Sequence, residues 1–277
     1  MASANDRTSA TNVHNQLLAA WPSEVWAHVG SDLERVELVQ GQTLHEAGTA
    51  LKYVYFPISA VVSLVSGMQD GGSAEVAVVG YEGVVGVCAF MDGAVALSGG
   101  EVQTAGHAWR MRAPVLANHV ARHAAMALPL LRYTQALLVQ LAQTAACNRH
   151  HSLHQQLCRW LLLHQDRHRC DEFLVTHERM SNLLGVRRET VTACALKLQK
   201  AGLIRYGRGR LAILDRRGLE GESCECYAVV RSAYDRLRCS HLAAPPVAVH
   251  RHADPCRTLP NVLSALRQPN ALLALQA

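Results

Sequence analysis

The residues best suited to chemistry lie between positions 176 and 210. Arg187, Arg188 and Glu189 stand in a row, followed by Thr190, Thr192 and Lys197. A guanidinium is a planar fork of donors that matches the acceptor edge of guanine. A carboxylate can accept from the cytosine amine. Arg187, Arg188, Glu189 and Thr192 are therefore candidates to read base edges. Thr176, Thr190, Lys197, Arg205, Arg208 and Arg210 offer hydroxyl, ammonium and guanidinium donors to phosphate, which position a protein on duplex without specifying sequence. The bland alternative is a helical hairpin with a solvated basic face.

Those side chains need a scaffold, and the stretch THERMSNLLGVRRETVTACALKLQKAGLIRYGRGRLAIL supplies one. Thr176 can cap a short helix with Met180, Leu183 and Leu184 on its apolar face, although Arg179 stands where a capping box has Glu. Gly185 permits a sharp turn, and Val186 plugs the angle between two helices. The second helix runs from about Arg188 to Ala201. Val191, Ala195 and Leu198 point inward, the basic residues point outward, and Gly202 stops the helix. Leu203-Ile204, Gly207 and Leu211–Leu214 then make a small hairpin tipped by arginines. The helix can enter a major groove while the hairpin reaches the backbone. This pattern predicts a winged helix-turn-helix near residues 171–214.

Other chemistry is poorly supplied. Nine cysteines are scattered, an odd count that does not read as a secreted disulfide framework. Cys224-Glu225-Cys226 is tighter than the usual two-residue gap of zinc or redox motifs. It reads as ordinary buried or half-buried thiols, with a redox or metal role as the alternative; no metal and no cofactor are expected. A metal-dependent barrel enzyme would need convergent histidines and a carboxylate. Only His45 and His107, far apart in sequence, and Glu46 and Glu75 are on offer. The chain is not expected to be an enzyme.

Charge divides the chain. Residues 1–148 carry a balance of −4, residues 149–217 a balance of +8, and the remainder +1. A compact basic segment suits a polyanion. Hydrophobic residues make up 49% and charged residues 18%, which favours packed domains over disorder. No apolar run is long enough to span a membrane, the N-terminus has no apolar signal segment, and the cytoplasm is the default compartment.

Texture then sets the fold. Residues 12–30 suit a short amphipathic helix in which Pro22 begins or interrupts a turn. From Leu33 to about Ala113, β-branched runs alternate with glycines: Val36–Val39, Tyr53–Phe56, Val61–Val65, Ala74–Val79 and Val84–Val87, with Asp70-Gly71-Gly72 as a hairpin signal. This predicts an antiparallel β-roll of jelly-roll type. From Ala113 to His168 the period is helical. Leu130, Leu137, Leu141 and Thr144 form a stripe expected to face a second copy, the alternative being packing against its own domain. Ser152 can cap the next helix, which carries Leu153, Leu157, Trp160, Leu161 and His164. Cys224, Cys226, Tyr227, Val230 and Tyr234 suggest a last helix packed on the winged domain, before a proline-containing tail. The expected class is α+β. A helical leader spans 1–30, a roll and its following helix 31–128, a linking helix 129–148, a winged helix-turn-helix domain 149–220 and a tail 221–277.

The segment MSNLLGVRRETVTACALKLQKAGLI resembles the helix-turn-helix of the Crp/Fnr family of bacterial regulators, and the resemblance extends over roughly residues 33–220. It implies a cyclic-nucleotide-binding-like roll, a dimerisation helix and a winged helix. It also implies a homodimer on a two-fold symmetric operator in double-stranded DNA, acting with RNA polymerase. Arg188-Glu189-Thr190-Val191 matches the start of the family's recognition helix. The arginine often found four residues after the glutamate is Ala193 here, so the family's best-known operators are not assumed. In cyclic-nucleotide binders of the family, a glutamate holds the ribose and an Arg-Ser or Arg-Thr pair cradles the phosphate. Here Val87 follows Val84-Val85-Gly86, and Ser98-Gly99 stands at the phosphate place. A buried cyclic phosphate without an arginine would be left unpaired, so any effector is expected to be something other than cAMP. The family's iron–sulfur branch uses N-terminal cysteines, and none precedes Cys88. A haem would need axial ligands from His45, His107 or Cys88, whose geometry nothing in the sequence fixes. The competing reading is a signalling or scaffold module whose basic domain binds a protein partner.

Overall fold

Short runs of β-branched and aromatic residues form strands wherever one side can be buried. The computed structural model describes residues 14–69, 71–91, 95–168 and 172–239. Seven strands build the N-terminal roll: β1 (Glu34–Leu38), β2 (Thr43–His45), β3 (Tyr53–Pro57), β4 (Val61–Gly67), β5 (Ser73–Val79), β6 (Gly99–Thr104) and β7 (Gly106–Arg112). They form two antiparallel sheets, ordered β1-β7-β3 and β2-β6-β4-β5. Val54, Phe56, Val62, Val102 and Met111 are fully or nearly fully buried in the shared core. The β4–β5 hairpin closes as its glycines suggested, with the Met68 amide donating to the Gly72 carbonyl at 2.7 Å; Asp70 lies outside the described residues.

Two expectations for this half change in detail. The leader divides at Pro22 into α1 (Gln16–Ala19) and α2 (Ser23–Val29). Val84–Val87 is not a strand. Val85 makes a single bridge to Tyr55, and Gly86, at φ +99°, turns the chain into a 3₁₀ helix over Val87–Phe90. Gly83 is required by close packing, since a Cβ there would sit 2.1 Å from the Tyr133 ring.

Three helices follow: α3 (Ala113–Arg122), α4 (Ala124–His150) and α5 (Leu153–Arg167). α4 is longer than the 129–148 expected, and its 27 residues span about 40 Å. Ser152 caps α5 in a full capping box with Gln155. The rest is β8 (Glu172–Leu174), α6 (His177–Leu184), α7 (Arg188–Lys200), β9 (Ile204–Gly207), β10 (Arg210–Ile213), α8 (Arg216–Glu222) and α9 (Glu225–Cys239). Among the described residues, no helix is long and apolar enough to cross a membrane.

The stripe expected to face a second copy does not do so. Leu130, Leu137 and Thr144 are buried within their own chain, and Leu141 packs against the same core. They are covered because α4 lies between β5 and α9. The opposite face of α4 is open: Leu128, Leu131 and Leu138 are 53%, 58% and 59% exposed, in line with exposed Gln135, Ala142 and Ala145. α9 also differs from expectation. It lies along α4 more than on the winged domain, with the Tyr234 ring edge-on to Tyr133 at 6.4 Å. The Pro-containing tail beyond residue 239 lies outside the described residues.

Candidate nucleic-acid interface

Thr176 caps α6, its hydroxyl accepting from the Arg179 amide at 3.1 Å. Gly185 ends α6 at φ +65°, in the left-handed region that a side chain would strain. Three residues later α7 begins. Val191, Ala195 and Leu198 are buried, as the spacing predicted, and Val186 packs against the core between the helices. Arg187, Arg188, Glu189, Thr190, Ala193, Lys197 and Lys200 are exposed. The first turn of α7 thus presents two guanidiniums and a carboxylate together on an open surface.

Thr192 is placed differently from its neighbours. It is half-buried, and its hydroxyl is within 3.0 Å of His177 Nδ1 and 2.9 Å of the Arg188 carbonyl. Its hydrogen-bonding capacity is engaged inside the motif, which leaves mainly its methyl group for a base. His177 in turn stacks on Tyr206, with ring centroids 4.2 Å apart. Burial, with Arg188 nearby, lowers its pKa below the ordinary histidine value. These contacts tie α6, α7 and β9 together.

β8, β10 and β9 form a three-stranded sheet in that order. Arg208 and Gly209 make the two-residue turn at its tip, at φ +52° and +75°, the backbone of a type I′ hairpin. Arg208 is exposed at this tip. Arg205 and Arg210 are also exposed, but both approach Glu172, at 3.9 and 3.2 Å. This shared acid was not legible in the sequence, because it reaches the arginines only through β8–β10 pairing.

Residues 155–222 match the family model described as the Crp-like helix-turn-helix domain. The chain carries a Crp-like helix-turn-helix on a Crp/Fnr-type fold. Solved structures with this fold include FixK2 from Bradyrhizobium japonicum, at 15% identity and TM-score 0.60, covering 69% of this chain and 98% of that one. A CRP-family transcriptional regulator from Thermus thermophilus aligns at 21% identity and TM-score 0.55, covering 69% and 96%. The c-di-GMP responsive global regulator CLP from Xanthomonas campestris aligns at 14% identity and TM-score 0.56, covering 70% and 100%. Comparison of the sequence with curated proteins gave no match.

The Crp-like domain is docked against its own roll. Arg179, the residue in the capping-box position, bonds Glu101 and reaches Gln103 at 2.9 Å, both on β6. Gly185 sits against the start of β5, where a Cβ would meet Ser73 and Ala74 at ordinary contact distance. Buried Glu75 bonds Ser63 and lies 3.2 Å from His164 of α5. Of the two carboxylates weighed for a barrel metal site, Glu75 is thus already bonded. His45 and His107 stand on strands of different sheets. Buried Arg167 donates to the Val78 carbonyl at 2.7 Å and to Gln140 at 2.6 Å, and pairs with Glu82 at 3.2 Å.

Proposed function

We propose that the protein is a sequence-specific DNA-binding transcription regulator that acts as a homodimer. The observation that carries this reading is the first turn of α7. Arg187, Arg188 and Glu189 project from a helix whose opposite face is locked into the core, inside a Crp-like helix-turn-helix. Such a helix fits the major groove, with Arg188 or Arg187 on guanine and Glu189 on cytosine. Thr190, Lys197 and the wing arginines, with the Thr176 cap, would hold phosphates.

The dimer reading now rests on the open face of α4. Leu128, Leu131, Gln135, Leu138, Ala142 and Ala145 follow the alternating three- and four-residue spacing of a coiled-coil seam. A second copy of the same helix is the partner that this self-matching seam fits. Contact with RNA polymerase in the cytoplasm completes the reading. Any effector is a molecule other than cAMP, since Val87 and Ser98-Gly99 bring neither the carboxylate nor the guanidinium a cyclic nucleotide needs.

The test is selection of bound duplexes from a random pool at about 0.15 M salt. The expected product is one inverted repeat, its half-sites about one helical turn apart. Recovery without sequence preference, or no binding even with cell extract added, would overturn the reading in favour of a protein-binding module.

A further inference from the structure

Four metal-binding side chains meet where α9 joins α4. Cys224 and Cys226 were expected to be ordinary thiols, but the fold brings Cys147 and His151 to them from the end of α4. One donor atom from each of the four residues lies within 4.8 Å of all the others. Cys147 Sγ is 3.5 Å from Cys224 Sγ, and Cys226 Sγ is 3.5 Å from His151 Nδ1. Zinc bonds of about 2.3 Å to sulfur and about 2.0 Å to nitrogen, set tetrahedrally, separate the ligand atoms by about 3.5 to 3.8 Å. The two 3.5 Å edges match a single ion. A multi-iron cluster holds its ligand sulfurs farther apart, because iron and sulfide lie between them.

The surroundings suit the ion as well. His151 Nε2 lies 3.3 Å from Glu225, while Nδ1 faces the sulfurs. A carboxylate on the far nitrogen fixes the tautomer that leaves the near lone pair free for a metal. Gln156 donates to the His151 carbonyl at 2.8 Å, steadying the turn that carries two of the ligands. The three thiols form a buried cluster apart from the main core. Arg159, buried beside Cys147, donates to Thr144 at 3.1 Å, and its Nε has no hydrogen-bond partner. Three thiolates, one neutral imidazole and Zn²⁺ carry one net negative charge, which that guanidinium would balance.

We propose that Cys147, His151, Cys224 and Cys226 form a closed, structural Zn²⁺ site joining the end of α4 to the start of α9. A set of nitrogen and thiolate donors with no open position favours zinc in a structural role. Binding releases one proton from each thiol. Cys147 and Cys224 are 77 residues apart in sequence. The loop that the ion closes contains the entire winged domain, so the clamp holds that domain to the long helix. The site does not depend on the DNA-reading proposal.

The full chain, purified under reducing conditions and cleared of loose metal with a weak chelator, should contain one zinc by elemental analysis. Its native mass should exceed that of the chain by one zinc less the displaced protons. Cobalt(II) should give the intense visible bands of a tetrahedral thiolate site. Cys147→Ser and Cys226→Ser should lose both signals, and Cys88→Ala should keep them. Glu225 is exposed, so Glu225→Gln should fold normally and weaken zinc affinity about tenfold. Failure of the reduced wild-type chain to bind zinc or cobalt would overturn the proposal. So would full metal content in Cys147→Ser and Cys226→Ser, or a chromophore carrying iron and sulfide.

Discussion

Arg188 and Arg208 carry the same charge in different places. Arg188 opens α7, the helix proposed to enter the groove, whereas Arg208 stands at the wing tip. Arg188→Ala should cost about 1–3 kcal/mol on the selected operator and relax preference at one base position. Arg208→Asn, which tolerates the positive φ, should weaken all duplexes alike and lower the salt slope by about one. Fluorescence anisotropy across a salt series separates the two; equal losses on all sequences for Arg188→Ala would rule out base reading by that residue. Glu172 holds two wing arginines by ion pairs, so Glu172→Gln should raise affinity slightly and without sequence preference. The outward set on α7 was legible because it complements Val191, Ala195 and Leu198 at helical spacing. The engagement of Thr192 by His177 was not, because fifteen residues and a turn separate them.

The long helix α4 is covered on one side and open on another. It is apolar on two faces. Leu130 and Leu137 share a heptad spacing with Leu131 and Leu138, so the period marks a helix without saying which stripe is inside. The fold decides it, since β5 and α9 take the first stripe and leave the second open. Leu138→Glu should therefore yield a folded monomer in sedimentation velocity. Leu137→Ala should cost about 2–5 kcal/mol in urea unfolding through the cavity it leaves. Monomers from Leu137→Ala with unchanged stability would restore the original assignment. α9 shows the same limit: its apolar face was visible in Tyr227, Val230 and Tyr234, but not its choice of α4 as partner.

Across the whole molecule, the acidic roll and the basic domain meet through particular contacts. Arg179 on Glu101 and Gln103, and His164 on Glu75, join elements far apart in sequence. Glu101→Gln should raise amide exchange in α6 while leaving the β4–β5 hairpin protected. Burial lowers the pKa values of His45, His168 and His177 below the ordinary 6.5. The unfolded chain therefore takes up more protons as pH falls through 6.5, and the contribution these residues make at neutral pH is lost below it. The urea midpoint should fall between about pH 7.5 and about pH 5.5. Replacing all three histidines with glutamine should flatten that fall, and an unchanged slope would remove them as its cause.

Residue order alone settled what short-range physics controls. Glycine-punctuated β-branched runs made the roll. Ser152 and Thr176 fixed helix starts, Gly185 and Gly202 fixed turns, and helical spacing separated the buried face of α7 from its basic one. Each of these depends on residues within a few positions of one another. Everything that depended on which faces meet was left to the packing of the elements. That packing buried the Leu130 stripe, laid α9 along α4, shared Glu172 between two wing arginines and gathered Cys147, His151, Cys224 and Cys226 at one point. A period or a cap is written locally, but a meeting of side chains 77 residues apart is set by how the elements come together in space.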